Sequence, residues 1–181
     1  MQAPRSLILV STAALFAVSG CATSRVTIPA DLPAPLRAPA GETLFVEALA
    51  TGVQIYECAP KAGDSSSFAW TFRAPEATLS DRSGRPLGKH YAGPTWESID
   101  GSKVVGQVKA SDPGPDPAAI PWLLLTAKSS SDTGTFALSA SIQRVRTVGG
   151  IAPAERCDAT NAAKFGRVPY KATYYFYRVG P

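Results

Sequence analysis

From Gly41 onward the chain sustains no stripe of apolar residues at helical spacing. Short apolar runs are instead cut, about every ten residues, by Gly, Pro, Asp and Ser. The breaks carry turn chemistry: Ser83-Gly84, Asp100-Gly101, Pro113-Gly114-Pro115 and Asp132-Thr133-Gly134. Helix formation needs several uninterrupted turns with one apolar face, so this texture restricts the chain to β-structure. The runs at 43–49, 53–58, 68–73, 78–81, 86–91, 95–99, 103–109, 122–128, 135–148 and 170–179 are the expected strands. Only 159–165 has room for a turn or two of helix. The expected fold is all-β: an antiparallel sandwich or a barrel-like single domain over residues 41–181.

Two expected strands carry more than a simple alternation. Trp122-Leu123-Leu124-Leu125 is continuously apolar, which requires cover on both faces. In the last strand Tyr170, Ala172, Tyr174 and Phe176 share one face, and Lys171, Thr173, Tyr175 and Tyr177 share the other. Tyrosines on both faces imply that the second is only partly wet. Arg144 and Arg146 fall on one face of their strand and could clamp a carboxylate or phosphate, or simply meet solvent.

The N-terminus has a different texture. Residues 1–20 hold a single charge, Arg5, then an apolar run over 7–18, then small residues up to Cys21. This is the layout of a secretory signal, and its apolar run is too short to span a bilayer. Val18-Ser19-Gly20-Cys21 resembles the lipobox of bacterial lipoproteins, in which the cysteine is acylated and becomes the new N-terminus. Ala22 after it resembles the pattern passed on to the outer membrane. The expected address is therefore exported and lipid-anchored through Cys21 to the bacterial membrane, facing the periplasm. Residues 21–40, with Pro29, Pro33, Pro35 and Pro39, read as an extended tether between lipid and domain.

Three cysteines are present. With Cys21 lipidated, Cys58 and Cys157 remain as a pair in an oxidising compartment, where a disulfide closing about 100 residues is expected. One histidine in the whole chain, and no Cys-x-x-Cys spacing, give no metal site. The formal net charge is +4, but the 18 basic residues are scattered singly. Nucleic-acid binders cluster theirs into a stripe, so no nucleic-acid partner is expected.

Residues 88–102 hold the densest collection of reactive side chains: His90, Tyr91, Trp96, Glu97, Asp100 and Ser102, in a loop-rich setting. If His90 were a general base it would need a carboxylate on one ring nitrogen, and Glu97 or Asp100 could supply it. Equally, His90 could pin its loop through backbone carbonyls, Trp96 could be core, and the two carboxylates could cap turns. No Gly-x-Ser-x-Gly and no Gly-rich dinucleotide loop occurs, and no cofactor is expected.

Several segments, in order, resemble a secreted bacterial and fungal family known as domain of unknown function 3455. They are Gly52-Val53-Gln54-Ile55-Tyr56-Glu57-Cys58, Trp70-Thr71-Phe72-Arg73-Ala74-Pro75, Gly88-Lys89-His90-Tyr91-Ala92-Gly93-Pro94-Thr95-Trp96-Glu97, Ile120-Pro121-Trp122-Leu123-Leu124-Leu125, and Tyr170 to Tyr177. The resemblance spans roughly 41–178 and implies no activity, substrate or cofactor. The expected role is a non-catalytic binding or interaction module of the cell envelope, its small-molecule or glycan ligand held by Tyr91, Trp96 and Arg144. The alternatives are a hydrolase using His90 with Glu97 or Asp100, or a passive envelope structural protein.

Overall fold

The computed structural model describes residues 26–180; the expected signal segment and Cys21 lie outside the described residues. Eight antiparallel strands, each hydrogen-bonded to the next in sequence, form one sheet that closes on itself as a barrel. They are β1 (Glu42–Lys61), β2 (Asp64–Ser80), β3 (Pro86–Tyr91), β4 (Thr95–Ser98), β5 (Lys103–Asp112), β6 (Trp122–Ser130), β7 (Ser141–Gly149) and β8 (Phe165–Val179). Closure is made by β1 on β8, running from Glu42 opposite Val179 to Glu57 opposite Phe165. It removes every free sheet edge.

The expected pairs 43–49 with 53–58, and 68–73 with 78–81, are each one long strand, β1 and β2. Gly52 reads as a break but is a close approach: a Cβ there would lie 2.1 Å from the Glu76 carbonyl oxygen. Pro75 sits within the ladder opposite Gln54 without ending it. Conversely, Thr135 to Ala140 belong to turns rather than to β7, and Phe136 turns inward to plug one end of the barrel, fully buried. The helical turn is a 3-10 turn over Ala159–Asn161, capped by Asp158.

Strand alternation sorts the side chains. Ala48, Ala50, Leu79, Trp96, Val104, Leu125, Ile142, Tyr174 and Phe176 fill the interior. Outside lie ion pairs such as Arg73–Glu57, Arg82–Glu47 and Arg167–Glu76. An apolar inside and a charged outside are the reverse of a barrel that crosses a membrane with its strands.

The segment expected as a tether is, from residue 26 on, a strap laid across the outside of the barrel. Leu32 and Leu36 pack with Trp122, Leu124, Val145, Tyr175 and Tyr177 in a second apolar cluster. Gln143 Nε2 donates to the Leu36 carbonyl, and Arg146 and the Tyr175 hydroxyl both donate to that of Thr27. Prolines remove backbone donors, but two leucines four residues apart bury enough apolar area to hold the strap down. It explains the continuous apolar run of β6 and the tyrosines on both faces of β8: the second face is covered by the strap. Arg144 and Arg146 do not share a face, because a bulge between Val145 and Val148 breaks the alternation and sends Arg146 to the strap.

Cys58 and Cys157 are disulfide-bonded, with Cα atoms 5.5 Å apart and a separation of 99 positions in sequence. The bridge fastens β1 to the loop between β7 and β8. Trp70 Nε1 to the Glu155 carbonyl and the Tyr56 hydroxyl to the Gly150 carbonyl fasten the same loop.

Candidate functional site

An aromatic column runs up the interior. Phe136 packs on Phe176, Phe176 meets the edge of Trp96, and Trp96 stacks on His90 at 4.4 Å between ring centres. Tyr174 stands edge-on to both Trp96 and His90. The absent side chain of Gly106 makes room for this: a Cβ there would lie 3.0 Å from the Trp96 ring. Above the column the barrel is not filled. A cavity of about 360 Å³ remains, with walls from all eight strands, including Gln54, Phe72, His90, Trp96, Val108, Leu125, Arg144 and Tyr174. It opens past the Gly93-Pro94 turn, where Phe72 and Val108 stand half-exposed. Its size lies at the low end for small-molecule sites.

The walls are mostly apolar, yet several buried polar atoms on them have no protein partner: Gln54 Nε2, Trp96 Nε1 and the Tyr174 hydroxyl. Buried polar groups are nearly always hydrogen-bonded, and these three belong to residues that line the cavity, within a small side-chain shift of whatever occupies it. His90 adds a fourth. Its Nδ1 lies 2.8 Å from the Thr95 carbonyl, which can only accept, so Nδ1 carries the proton and Nε2 is left as an acceptor. Arg144 leans over the cavity with Nε and Nη2 donating to the Pro121 carbonyl at 3.0 and 2.8 Å.

Burial holds the His90 imidazole down to a pKa of about 3, the Thr95 carbonyl opposing and the Arg144 charge adding to the effect. His90 is therefore neutral in the folded protein throughout the physiological range. In the unfolded chain it takes up a proton below about pH 6.5. Stability is accordingly full above that pH and falls as the pH drops from 6.5 toward 3. Between pH 6.5 and pH 5 the expected loss is about 1.5 kcal/mol. Urea unfolding at the two pH values checks it. In a His90→Gln variant the difference should largely vanish, and an unchanged difference would assign it to other groups.

Of the side chains singled out between 88 and 102, the barrel brings His90 and Trp96 together and joins Arg144 to them. They are cross-strand partners, His90 opposite Trp96 in the β3–β4 hairpin. Tyr91 and Glu97, one residue further along each strand, point the other way. On the outer wall the Tyr91 hydroxyl donates to Glu97 at 2.7 Å, and Lys89 and Lys103 flank that carboxylate. This hydrogen bond and the two lysines hold Glu97 below the ordinary carboxylate range. Asp100 lies in the β4–β5 turn near the plugged end. There it accepts from Ser102 and Thr135, whose hydrogen bonds keep its carboxyl well below the usual range. Among the described residues no carboxylate reaches His90, and Ser102 serves Asp100 and the Phe136 amide. Among the described residues no three His, Cys, Asp or Glu side chains converge as a metal would require.

Sequence reasoning passed over Gln54 and Tyr174 as site residues. Gln54 sits at an inward position in register with Ala48 and Ala50, and a buried glutamine on an apolar face is the signal that could have found it. Tyr174 was visible only as one tyrosine among several.

Fold and cavity together define an up-and-down eight-stranded barrel with room for one small ligand, an architecture that recurs with many functions. The family described as "Protein of unknown function (DUF3455)" matches residues 39–178, and the chain belongs to it. No curated protein and no solved structure matches the chain.

Proposed function

We propose that the protein is an exported barrel, lipid-anchored through Cys21 on the periplasmic face of the outer membrane, that binds one small, mostly apolar ligand in its lumen without transforming it. The observation that carries the binding role is a mostly apolar cavity whose lining residues Gln54, Trp96 and Tyr174 each hold a buried polar atom without a hydrogen-bond partner, with the neutral His90 ring beside them. A barrel evolved only for stability gains nothing by leaving buried polar atoms open, since each costs about 1–3 kcal/mol unless it is met. Among the described residues no carboxylate is hydrogen-bonded to His90, whose Nδ1 is bonded to the Thr95 carbonyl, and this favours holding over hydrolysis. Aromatic and aliphatic walls suit a flat apolar body better than a glycan. Tyr91, expected among the ligand contacts, lies on the outer wall and has no part in this reading; Trp96 and Arg144 keep theirs.

Binding should raise thermal stability by mass action. A lumen ligand at a hundred times its dissociation constant adds about 2.7 kcal/mol, a shift of several degrees. Thermal denaturation against a panel of small aromatic and aliphatic compounds is expected to find such ligands. A panel that leaves the midpoint unmoved would return the barrel to a passive structural role. The apolar start of the chain, the Cys21 context and the Cys58–Cys157 bridge support the address. Labelled palmitate should enter the intact chain and be lost in Cys21→Ala; incorporation independent of Cys21, or none, would remove the anchor.

A further inference from the structure

Resting on the lumen being a small-ligand site, we propose that its ligand is a monocarboxylate with a flat apolar body, the carboxylate seated against Arg144. Arg73, Arg82, Arg85 and Arg167 each pair with a carboxylate on the outer wall. Arg144 faces inward and has no carboxylate within ion-pair distance among the described residues; its guanidinium donates to the Pro121 carbonyl and bears on the neighbouring Tyr174 hydroxyl. A guanidinium has five N–H groups, and two of them go to Pro121. Its charge is felt inside the barrel, where it favours the neutral form of His90 and the ionised forms of Tyr170 and Tyr174. A partly buried cation without a counter-charge is unfavourable, and an anion entering the cavity would relieve it.

The hydrogen-bonding inventory points the same way. Gln54 Nε2 and Trp96 Nε1 are donors, and the Tyr174 hydroxyl can donate. Against them stand two pure acceptors, His90 Nε2 and the Gln54 amide oxygen. The site is thus short of acceptors, which two carboxylate oxygens supply. The planar fork of arginine matches a carboxylate in geometry as well as in charge. Below it the stacked His90 and Trp96 rings, with Leu125 and Val108, leave an apolar space for a ring or short chain.

The test is calorimetric titration of the full chain with 2-naphthoate and with 2-naphthamide, which has the same shape and no charge. The acid is expected to bind with one-to-one stoichiometry and at least tenfold more tightly than the amide. In Arg144→Gln that preference should fall to about parity, while Arg144→Lys should keep part of it. If Arg144→Gln fails to fold, for want of its hold on Pro121, the acid-to-amide ratio in the unaltered protein decides alone. Equal binding of acid and amide would overturn the carboxylate and leave the lumen as a ligand site. No binding of either, nor of uncharged 2-naphthalenemethanol, would overturn both.

Discussion

Removing the Cys58–Cys157 bridge, by changing both residues to alanine, is expected to lower stability by about 4–5 kcal/mol. The magnitude follows from the 99 positions the bridge spans: cross-linking so distant a pair takes a large share of conformational freedom from the unfolded chain. Domains of this size are stable by about 5–15 kcal/mol, so the loss would leave the barrel marginal. In the folded state the ends are also held by backbone hydrogen bonds, Cys58 N–H to the Lys164 carbonyl and Ala163 N–H to the Cys58 carbonyl. The fold should therefore persist in the reduced protein at low temperature, with its urea midpoint far lower. Urea curves of the oxidised and the double-alanine protein check this. A difference below about 1 kcal/mol would mean that the loop ties restrain the unfolded chain less than loop-closure entropy requires.

The second large effect is expected at Trp96. Its side chain is 1 % exposed and touches His90, Tyr174 and Phe176 at once. Trp96→Ala should cost about 3–5 kcal/mol, combining lost burial, an unfilled space and broken aromatic contacts. The cavity walls beside it cannot collapse to compensate, because closed strands fix them. Trp70→Ala offers the contrast: Trp70 is only half-buried, and its N–H is bonded to the Glu155 carbonyl at 2.8 Å. Its loss should cost roughly 1–2 kcal/mol. Unfolding free energies in the reverse order would place the core elsewhere than in the aromatic column.

Much of this architecture was legible in the chain. The all-β class and the turns at Ser83-Gly84 and Asp100-Gly101 followed from turn chemistry, and the Cys58–Cys157 pairing from counting cysteines. Closure was not legible, since it depends on β1 meeting β8 across more than a hundred residues, and no local pattern encodes such a partner. Gly52 and Pro75 read as interruptions because their packing role appears only when the neighbouring strand is in place. The strap was obscured by its prolines, which signal extension without saying what the extended segment lies on.

The site was half legible for a definite reason. Residue types located the 88–102 stretch, but a strand has a period of two, and His90 and Trp96 therefore part from Tyr91 and Glu97. Applied to 86–91 and 95–99, that alternation separates the lumen pair from the outer carboxylate. The contributions of Gln54, Tyr174 and Arg144 rest on barrel closure, which brings β1, β7 and β8 around to face β3 and β4.

The three tryptophans provide reporters for the claim that the lumen takes a ligand. Trp96 Nε1 lies unpartnered in the cavity wall, Trp122 is packed beneath the strap, and Trp70 is hydrogen-bonded to the β7–β8 loop. The measurement is an NMR titration following the three indole N–H signals as 2-naphthoate or 2-naphthalenemethanol is added, with Trp→Phe variants for assignment. A saturable shift of the Trp96 signal, with those of Trp70 and Trp122 nearly still, is the predicted result. An unmoved Trp96 signal, or a shift confined to Trp70 or Trp122, would contradict a ligand in the lumen.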